Sequence, residues 1–93
     1  MTIDALEMQA GATNQINNQV LIVNGNASIA GTLIAAGSET ITFNADLVFT
    51  GSGAFTAAQS MLRLGGTEPV TFTPLSNTFY ALEIANSNTV IVT

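Results

Sequence analysis

A short apolar segment recurs about every twenty residues along this chain, and this period constrains the fold more than any other feature of the sequence. The first residues of four such segments lie 20, 21 and 20 positions apart. Repeats of this length are typical of chains that wind into stacked coils, because each coil buries its apolar side chains only against its neighbours. The segments, each apolar-x-apolar followed by a small or turn-forming residue, are Leu21-Ile22-Val23-Asn24, Ile41-Thr42-Phe43-Asn44, Leu62-Arg63-Leu64-Gly65 and Leu82-Glu83-Ile84-Ala85.

Residues at equivalent positions of successive coils form what we call a column. The first column holds the four leading residues of the segments above. A second column keeps the same spacing, and a third is looser. Their members are Ile29, Phe49, Val70 and Val90 in the second column, and Leu33, Phe55 and Leu75 in the third.

The residue types in these columns favour β-strands, since Val, Ile, Thr and Phe fit a pleated, half-buried surface. The period and the residue types together predict an all-β fold, a short β-solenoid of about four coils (rungs). The alternative is a β-sandwich or jelly roll with evenly spaced strands. Asn24-Gly25 supports that alternative, because this dipeptide favours a type I′ hairpin. Val20–Val23 opposes it, because these four residues do not alternate as hairpin strands do.

The period weakens at the start of the chain. Ile3 lies 20 residues before Val23, but Gln9 falls where the second column requires an apolar residue. The stretch 12–19 is polar. We therefore predict an N-terminal cap or docking arm over residues 1–18 and a solenoid body over residues 19–93, since terminal repeats are usually atypical.

The columns resemble the repeats of β-solenoid (parallel β-helix) proteins. Residues 72–92, which include Phe79-Tyr80-Ala81-Leu82-Glu83-Ile84-Ala85-Asn86, resemble a coil that is common in secreted bacterial adhesin-like repeat proteins. Similar coils occur in phage fibres, spikes and capsid-decorating proteins. The resemblance covers residues 19–93 and implies a structural role, although a fold does not by itself fix a function.

Composition argues against most catalytic functions. The chain has no His and no Cys, so the commonest ligands of zinc, copper and iron are missing, as are Ser-His and Cys-His nucleophile pairs. We predict no catalytic, cofactor-binding or metal-binding residues, no cofactor, and no enzymatic activity. The net charge of −5 argues against nucleic acid and against an anionic membrane surface as partners.

Two short motifs could bind a ligand, ice or calcium, but each has a simpler structural explanation. The Thr-x-Thr pairs at 40–42 and 71–73 would suit ice binding only if they stacked in every coil. Asn44-Ala45-Asp46 offers oxygen ligands for calcium, but it lacks the surrounding pattern of known calcium loops. We interpret the first motif as ordinary strand threonines and the second as a turn.

The strongest functional signal is a set of apolar residues on the outward, solvent-facing side of the predicted strands. Alternation along a strand turns every second side chain outward. Exposed apolar residues of this kind mark protein–protein interfaces. The outward residues predicted to form an interface are Val20, Ile22, Ile34, Val48 and Ile91.

The predicted interface also includes Arg63 and Tyr80. Arg63 is the only base, and Glu83 lies 20 residues later with the same outward direction, so the two are predicted to form an ion pair between coils. Arg63 is also suited to pair with a carboxylate of a neighbouring chain. Tyr80 adjoins Phe79, and if both lie in a strand one of the two must face outward. Tyr80 could then serve as an interface anchor or a platform for a glycan.

These features predict a structural subunit that works as a homo-oligomer, with a trimer around a three-fold axis as the expected form. Its expected partners are other copies of itself and a capsid or other protein scaffold. The expected role is a virion capsid-decorating (cement) protein or a short fibre protein, located in the virion. The start of the chain has no basic segment followed by an apolar stretch, so we expect no secretory signal there. The alternative is an extracellular or cell-surface adhesin or self-polymerising filament module.

Overall fold

The structure is a computed structural model that describes residues 1–93, and it contains thirteen short β-strands and no helix. Most of the strands hold three or four residues, as expected of a chain that turns a corner every few residues. In chain order the strands are β1 (Thr2–Ile3), β2 (Leu6–Met8), β3 (Thr13–Ile16), β4 (Leu21–Val23), β5 (Ala27–Ile29), β6 (Thr32–Ala35), β7 (Thr40–Phe43), β8 (Leu47–Phe49), β9 (Ala54–Thr56), β10 (Met61–Leu64), β11 (Val70–Thr73), β12 (Ala81–Ile84) and β13 (Val90–Val92).

The strands form three parallel sheets, which are the three sides of a solenoid. Sheet A has the order β1-β4-β7-β10-β12, sheet B the order β2-β5-β8-β11-β13, and sheet C the order β3-β6-β9. The chain makes about five coils. The first three pass from sheet A to B to C, whereas the fourth and fifth have strands on sheets A and B only. The predicted β-solenoid is therefore confirmed.

The β-sandwich alternative is wrong, and so is the hairpin that Asn24-Gly25 suggested. The strands on either side of this dipeptide, β4 and β5, belong to different sheets. Gly25 instead sits against the coil below, where a β-carbon would lie 2.3 Å from the carbonyl oxygen of Asp4. The glycine is required by close contact between coils rather than by a hairpin turn.

The first column is confirmed in full. Leu21 pairs with Ile41, Ile41 with Leu62, and Leu62 with Leu82, all in parallel register. The first three of these side chains are buried in the core. The spacing of the sequence segments therefore equals the spacing of the paired strands on sheet A.

The second column is correct at both ends and wrong in the middle. Ile29 pairs with Phe49, and Val70 pairs with Val90, as predicted. Phe49 does not pair with Val70, however, because β8 and β11 are aligned through Leu47 and Phe72. The corner between β10 and β11, residues 65–69, contains extra residues that displace the register of sheet B at this step.

The third column is correct for one step only. Leu33 pairs with Phe55, but Leu75 is exposed, has a positive φ and belongs to no strand. The core position expected for Leu75 is taken by Phe79, whose ring centroid lies 5.5 Å from that of Phe55. Asn77 closes the free edge of β9, since its side-chain oxygen accepts a hydrogen bond from the Phe55 N–H at 2.9 Å.

Residues 1–18 form the first coil and pack directly on the second. β1, β2 and β3 pair with β4, β5 and β6, and Ile3 aligns with Val23 as its spacing indicated. Met8, not Gln9, aligns with Ile29, so the polar side chain of Gln9 stays exposed. Residues 1–18 thus pack on the second coil along all three sheets.

Candidate functional site

The outer face of sheet A carries two of the predicted interface residues side by side. Val20 is exposed, and Ile22 is partly exposed. Thr42 stands next to Ile22, in the following coil, and Arg63 follows Thr42, as the sequence spacing indicated. This face therefore changes from apolar in the second coil to polar in the fourth.

The other predicted apolar residues lie on different sides of the solenoid. Val48 and Ile91 face outward from sheet B, and Ile34 faces outward from sheet C between Gln15 and Thr56. All three are exposed or partly exposed. The structure brings Val20 and Ile22 together but does not join the five residues into one patch.

Phe79 faces the core and Tyr80 faces solvent. Phe79 packs against the rings of Phe49, Phe55 and Phe72, with centroid distances of 6.4, 5.5 and 5.7 Å. Tyr80 is exposed at the corner before β12. Its phenol ring is free to contact another molecule.

Arg63 and Glu83 form the predicted ion pair between neighbouring coils. The two residues are directly aligned in β10 and β12, and Arg63 Nε donates to Glu83 Oε1. Both side chains remain 40–46% exposed. Water therefore screens the pair, and its contribution to stability is small.

We expect a double-mutant cycle on Arg63→Ala and Glu83→Ala to give a coupling energy of less than about 1 kcal/mol, since exposed pairs rarely exceed this value. Urea unfolding of the four proteins would measure it, and the coupling should decrease further at high salt. A coupling energy well above this value, unchanged by salt, would show that the pair is shielded from water by another chain.

The fifth coil leaves part of the core uncovered. Leu82, Ile84 and Val92 point inward, in line with buried residues of the fourth coil, yet they are 46%, 54% and 63% exposed. β12 and β13 are the outermost strands of sheets A and B, so one backbone edge of each strand is unpaired. We call this surface, formed by the inward side chains of β12 and β13, the open end.

The first coil is better closed than the open end. Among its inward apolar residues, Met8 and Ile16 are only 5% exposed, and Ile3 and Leu6 are partly buried. Met1, which precedes β1 in line with Leu21, is the one that is largely exposed. Asn14 aligns with Leu33, so a polar residue occupies an inward column on this side. The two ends of the solenoid therefore differ, and apolar surface is concentrated at the open end.

A buried carboxylate that the sequence analysis missed lies at the corner before β7. Glu39 accepts hydrogen bonds from the backbone N–H groups of Asn18, Ala36 and Gly37 at 3.0, 2.8 and 2.7 Å. Burial by itself would raise the pKa of Glu39. The backbone N–H groups of Ala36, Glu39, Gly37 and Asn18 outweigh it and lower the pKa from 4.5 to about 2.

The sequence held one signal for this residue. Glu39 directly precedes a strand and lies two residues after Gly37, and an acid at a tight corner can accept hydrogen bonds from the backbone N–H groups there. All its acceptor capacity serves the corner, and Glu39 is structural. The shallow depression beside it is lined by Asn18, Gln19, Val20, Ser38, Glu39 and Thr40.

The structure also shows where Asn44-Ala45-Asp46 and the two Thr-x-Thr pairs lie. Asp46 accepts a hydrogen bond from the Thr71 N–H at 2.8 Å, and Asn44 donates to Asn24 at 2.9 Å, so both side chains join neighbouring coils. The structure contains no group of three or more side chains of His, Cys, Asp or Glu arranged to hold a metal ion. The Thr-x-Thr pairs lie on different sheets, β7 in sheet A and β11 in sheet B.

No helix in the structure has the length and apolar character that crossing a membrane requires. Comparison with known proteins found no match to this chain among protein-family models, curated proteins or solved structures. Exposed apolar side chains lie on the outer face of sheet A around Val20 and Ile22 and at the open end.

Proposed function

We propose that this chain is a non-enzymatic structural subunit of a larger assembly, a capsid-decorating or short fibre protein of a virion that acts as a homotrimer. The observation that carries this proposal is apolar surface left in water. Val20, Tyr80 and Ile91 are exposed on a small chain whose core is formed by other residues. Small domains bury a limited share of their surface, and partners commonly cover the remainder.

The chemistry of the outer faces supports contact with protein. These faces carry one ion pair, several threonines and isolated apolar side chains, which suit contact with another protein. The acidic charge of −5 disfavours phosphate backbones as partners. In the proposed trimer, the face around Val20 and Ile22 of one chain contacts the next chain, and the assembly docks on a capsid or other protein scaffold. The assignment to a virion rests on the resemblance of residues 19–93 to phage solenoid coils.

A second candidate is an extracellular adhesin or self-polymerising filament module. It is favoured by the unpaired strand edges at both ends of sheets A and B, because such edges can pair with another chain. The two candidates differ in the product of self-association. A closed trimer has a fixed mass, whereas a filament grows with concentration.

We expect the protein at micromolar concentration to show a mass that is a multiple of three chains by light scattering. The variant Val20→Asp/Ile22→Asp should reduce this mass three-fold, since unpaired charges in a buried contact are costly. Ser52→Asp, which adds a charge at an exposed corner, is the matched control and should keep the parent mass. A parent mass that is not a multiple of three chains, or a double variant with the parent mass and intact β structure, would contradict the proposed trimer.

A further inference from the structure

We propose that Asn24 is a deamidation site that the first coil keeps unreactive, so that the reaction proceeds when residues 1–18 separate from the second coil. This inference goes beyond the proposed function and does not rest on it. Asn24-Gly25 is the only Asn-Gly dipeptide in the chain, and it lies at the corner between β4 and β5. Asparagine is among the residues least stable to chemical change.

Deamidation at this dipeptide needs no reagent other than water. The backbone nitrogen of Gly25 attacks Cγ of Asn24, a C–N bond forms, and the side-chain nitrogen leaves as ammonia with the proton that Gly25 N–H gives up. Water then opens the resulting succinimide ring at one of its two carbonyl carbons, which yields aspartate or isoaspartate. Glycine after asparagine favours the attack, because no side chain hinders the approach of the nitrogen.

In the folded chain, different coils hold the two reacting groups. The nucleophile, Gly25 N–H, donates a hydrogen bond to the carbonyl oxygen of Asp4 in the first coil. The group to be attacked is held by the third coil, since Asn24 Oδ1 accepts a hydrogen bond from Asn44 Nδ2 at 2.9 Å. Attack on Cγ therefore requires that these hydrogen bonds break and that the corner rotates.

The first coil also prevents this rotation. The space beside Gly25 is occupied by the carbonyl group of Asp4, which leaves no room even for a β-carbon. The backbone N–H of Asn24 is held as well, because it donates to the carbonyl oxygen of Ile3 at 3.0 Å. Asn24 itself is exposed, so water for the second step is at hand. Contact with the first coil, and not access of water, therefore limits the reaction.

The isoaspartate product would make the separation of the first coil irreversible. Aspartate at position 24 keeps an oxygen that can accept from Asn44, whereas isoaspartate adds one carbon to the main chain directly before Gly25. The packed corner has no space for this carbon, so the contacts with Ile3 and Asp4 cannot form again. Core side chains that the first coil covers, such as Val23, would then meet water.

Peptide mass mapping after incubation at mildly alkaline pH tests the site. We expect Asn24 to deamidate in urea and to react about ten-fold or more slowly in the folded parent, because only the locally opened fraction reacts. Asn24→Gln identifies the signal, since the longer side chain forms the corresponding ring far more slowly. If position 24 does not deamidate in urea, or if the folded parent reacts as fast as the unfolded chain, the proposal is wrong.

Two variants of β1 test the role of the first coil. Ile3 packs against the core, while Thr2 faces outward on the same strand and is exposed. Ile3→Asp should therefore raise the rate at Asn24 in native buffer towards the rate in urea, and the matched control Thr2→Asp should keep the parent rate. Circular dichroism checks that the remaining coils stay folded. A folded Ile3→Asp variant with the parent rate would overturn the proposal.

If Ile3→Asp does not fold, the parent in urea below its unfolding transition gives the same information. The deamidation rate of Asn24 should then rise together with hydrogen exchange of the Gly25 amide, while the amide of Leu62 in the fourth coil stays protected. A deamidation rate that rises only with the exchange of Leu62 would show that global unfolding, and not separation of the first coil, exposes the site, and this would overturn the proposal.

Discussion

Phe49→Ala is expected to lower the free energy of unfolding by about 3–5 kcal/mol, as truncation of other buried phenylalanines does. Phe49 is only 1% exposed, and its ring contacts those of Phe55 and Phe79 at centroid distances of 6.4 Å. Strand pairing holds the surrounding coils apart, so the cavity cannot collapse fully. Phe43→Ala removes a side chain with no exposed surface and should have an effect of the same size.

Urea unfolding followed by circular dichroism would measure both variants. A domain of this size has a total stability of roughly 5–15 kcal/mol, so either change can leave little folded protein. Leu75→Ala is the matched control, because it removes an exposed apolar side chain from a corner and should change stability far less. If the Phe49 variant unfolded like the parent, the assignment of Phe49 to the core would be wrong.

Glu39→Gln is expected to cost roughly 2–4 kcal/mol, because a neutral amide replaces a carboxylate that accepts backbone hydrogen bonds in a buried corner. Asn18, Ala36 and Gly37 supply these bonds, and the Gln side chain has only one acceptor oxygen for them. Glu68→Gln makes the same chemical change on an exposed residue and should be nearly neutral. Equal stabilities for the two variants would show that the Glu39 corner does not hold the coils together.

The pH dependence of the parent should have the same origin. The pKa of Glu39 is lowered from 4.5 to about 2 in the folded chain, so the unfolded chain binds the proton more readily. The stabilisation by Glu39 is therefore fully present above about pH 4.5 and is lost as the pH falls through about 2. Glu39→Gln should lose less stability than the parent over this range, and thermal melting at several pH values would show it.

The sequence predicted which side chains of a strand face the core more reliably than it predicted which residues of neighbouring strands pair. Phe49 and Val70 are both buried, as their column indicated, yet they are not partners. The longer corner at residues 65–69 displaces the register of sheet B by an even number of residues, which leaves inward side chains facing inward. The alternation of inward and outward side chains is unchanged by such a shift, so the sequence pattern cannot reveal the shift.

The remaining differences have local causes. Leu75 was assigned to the core by its spacing alone, but Asn77 bonds to the edge of β9 and Phe79 fills the core there. Glu39 could not be found by hydrophobic periodicity, because its role is to accept hydrogen bonds from a corner. The ion pair of Arg63 and Glu83 could be predicted, since both residues are separated by one regular period on the same sheet.

Each strand pairs only with strands one coil away, and this pairing also determines how the molecule unfolds. Aligned residues are separated by as few as 19 positions, as for Thr13 and Thr32, and by as many as 25, as for Leu47 and Phe72. No strand pairing joins the first coil to the last, so unfolding can proceed coil by coil from an end rather than all at once. Backbone amides of the fifth coil would then exchange with solvent first, and those of the central coils last.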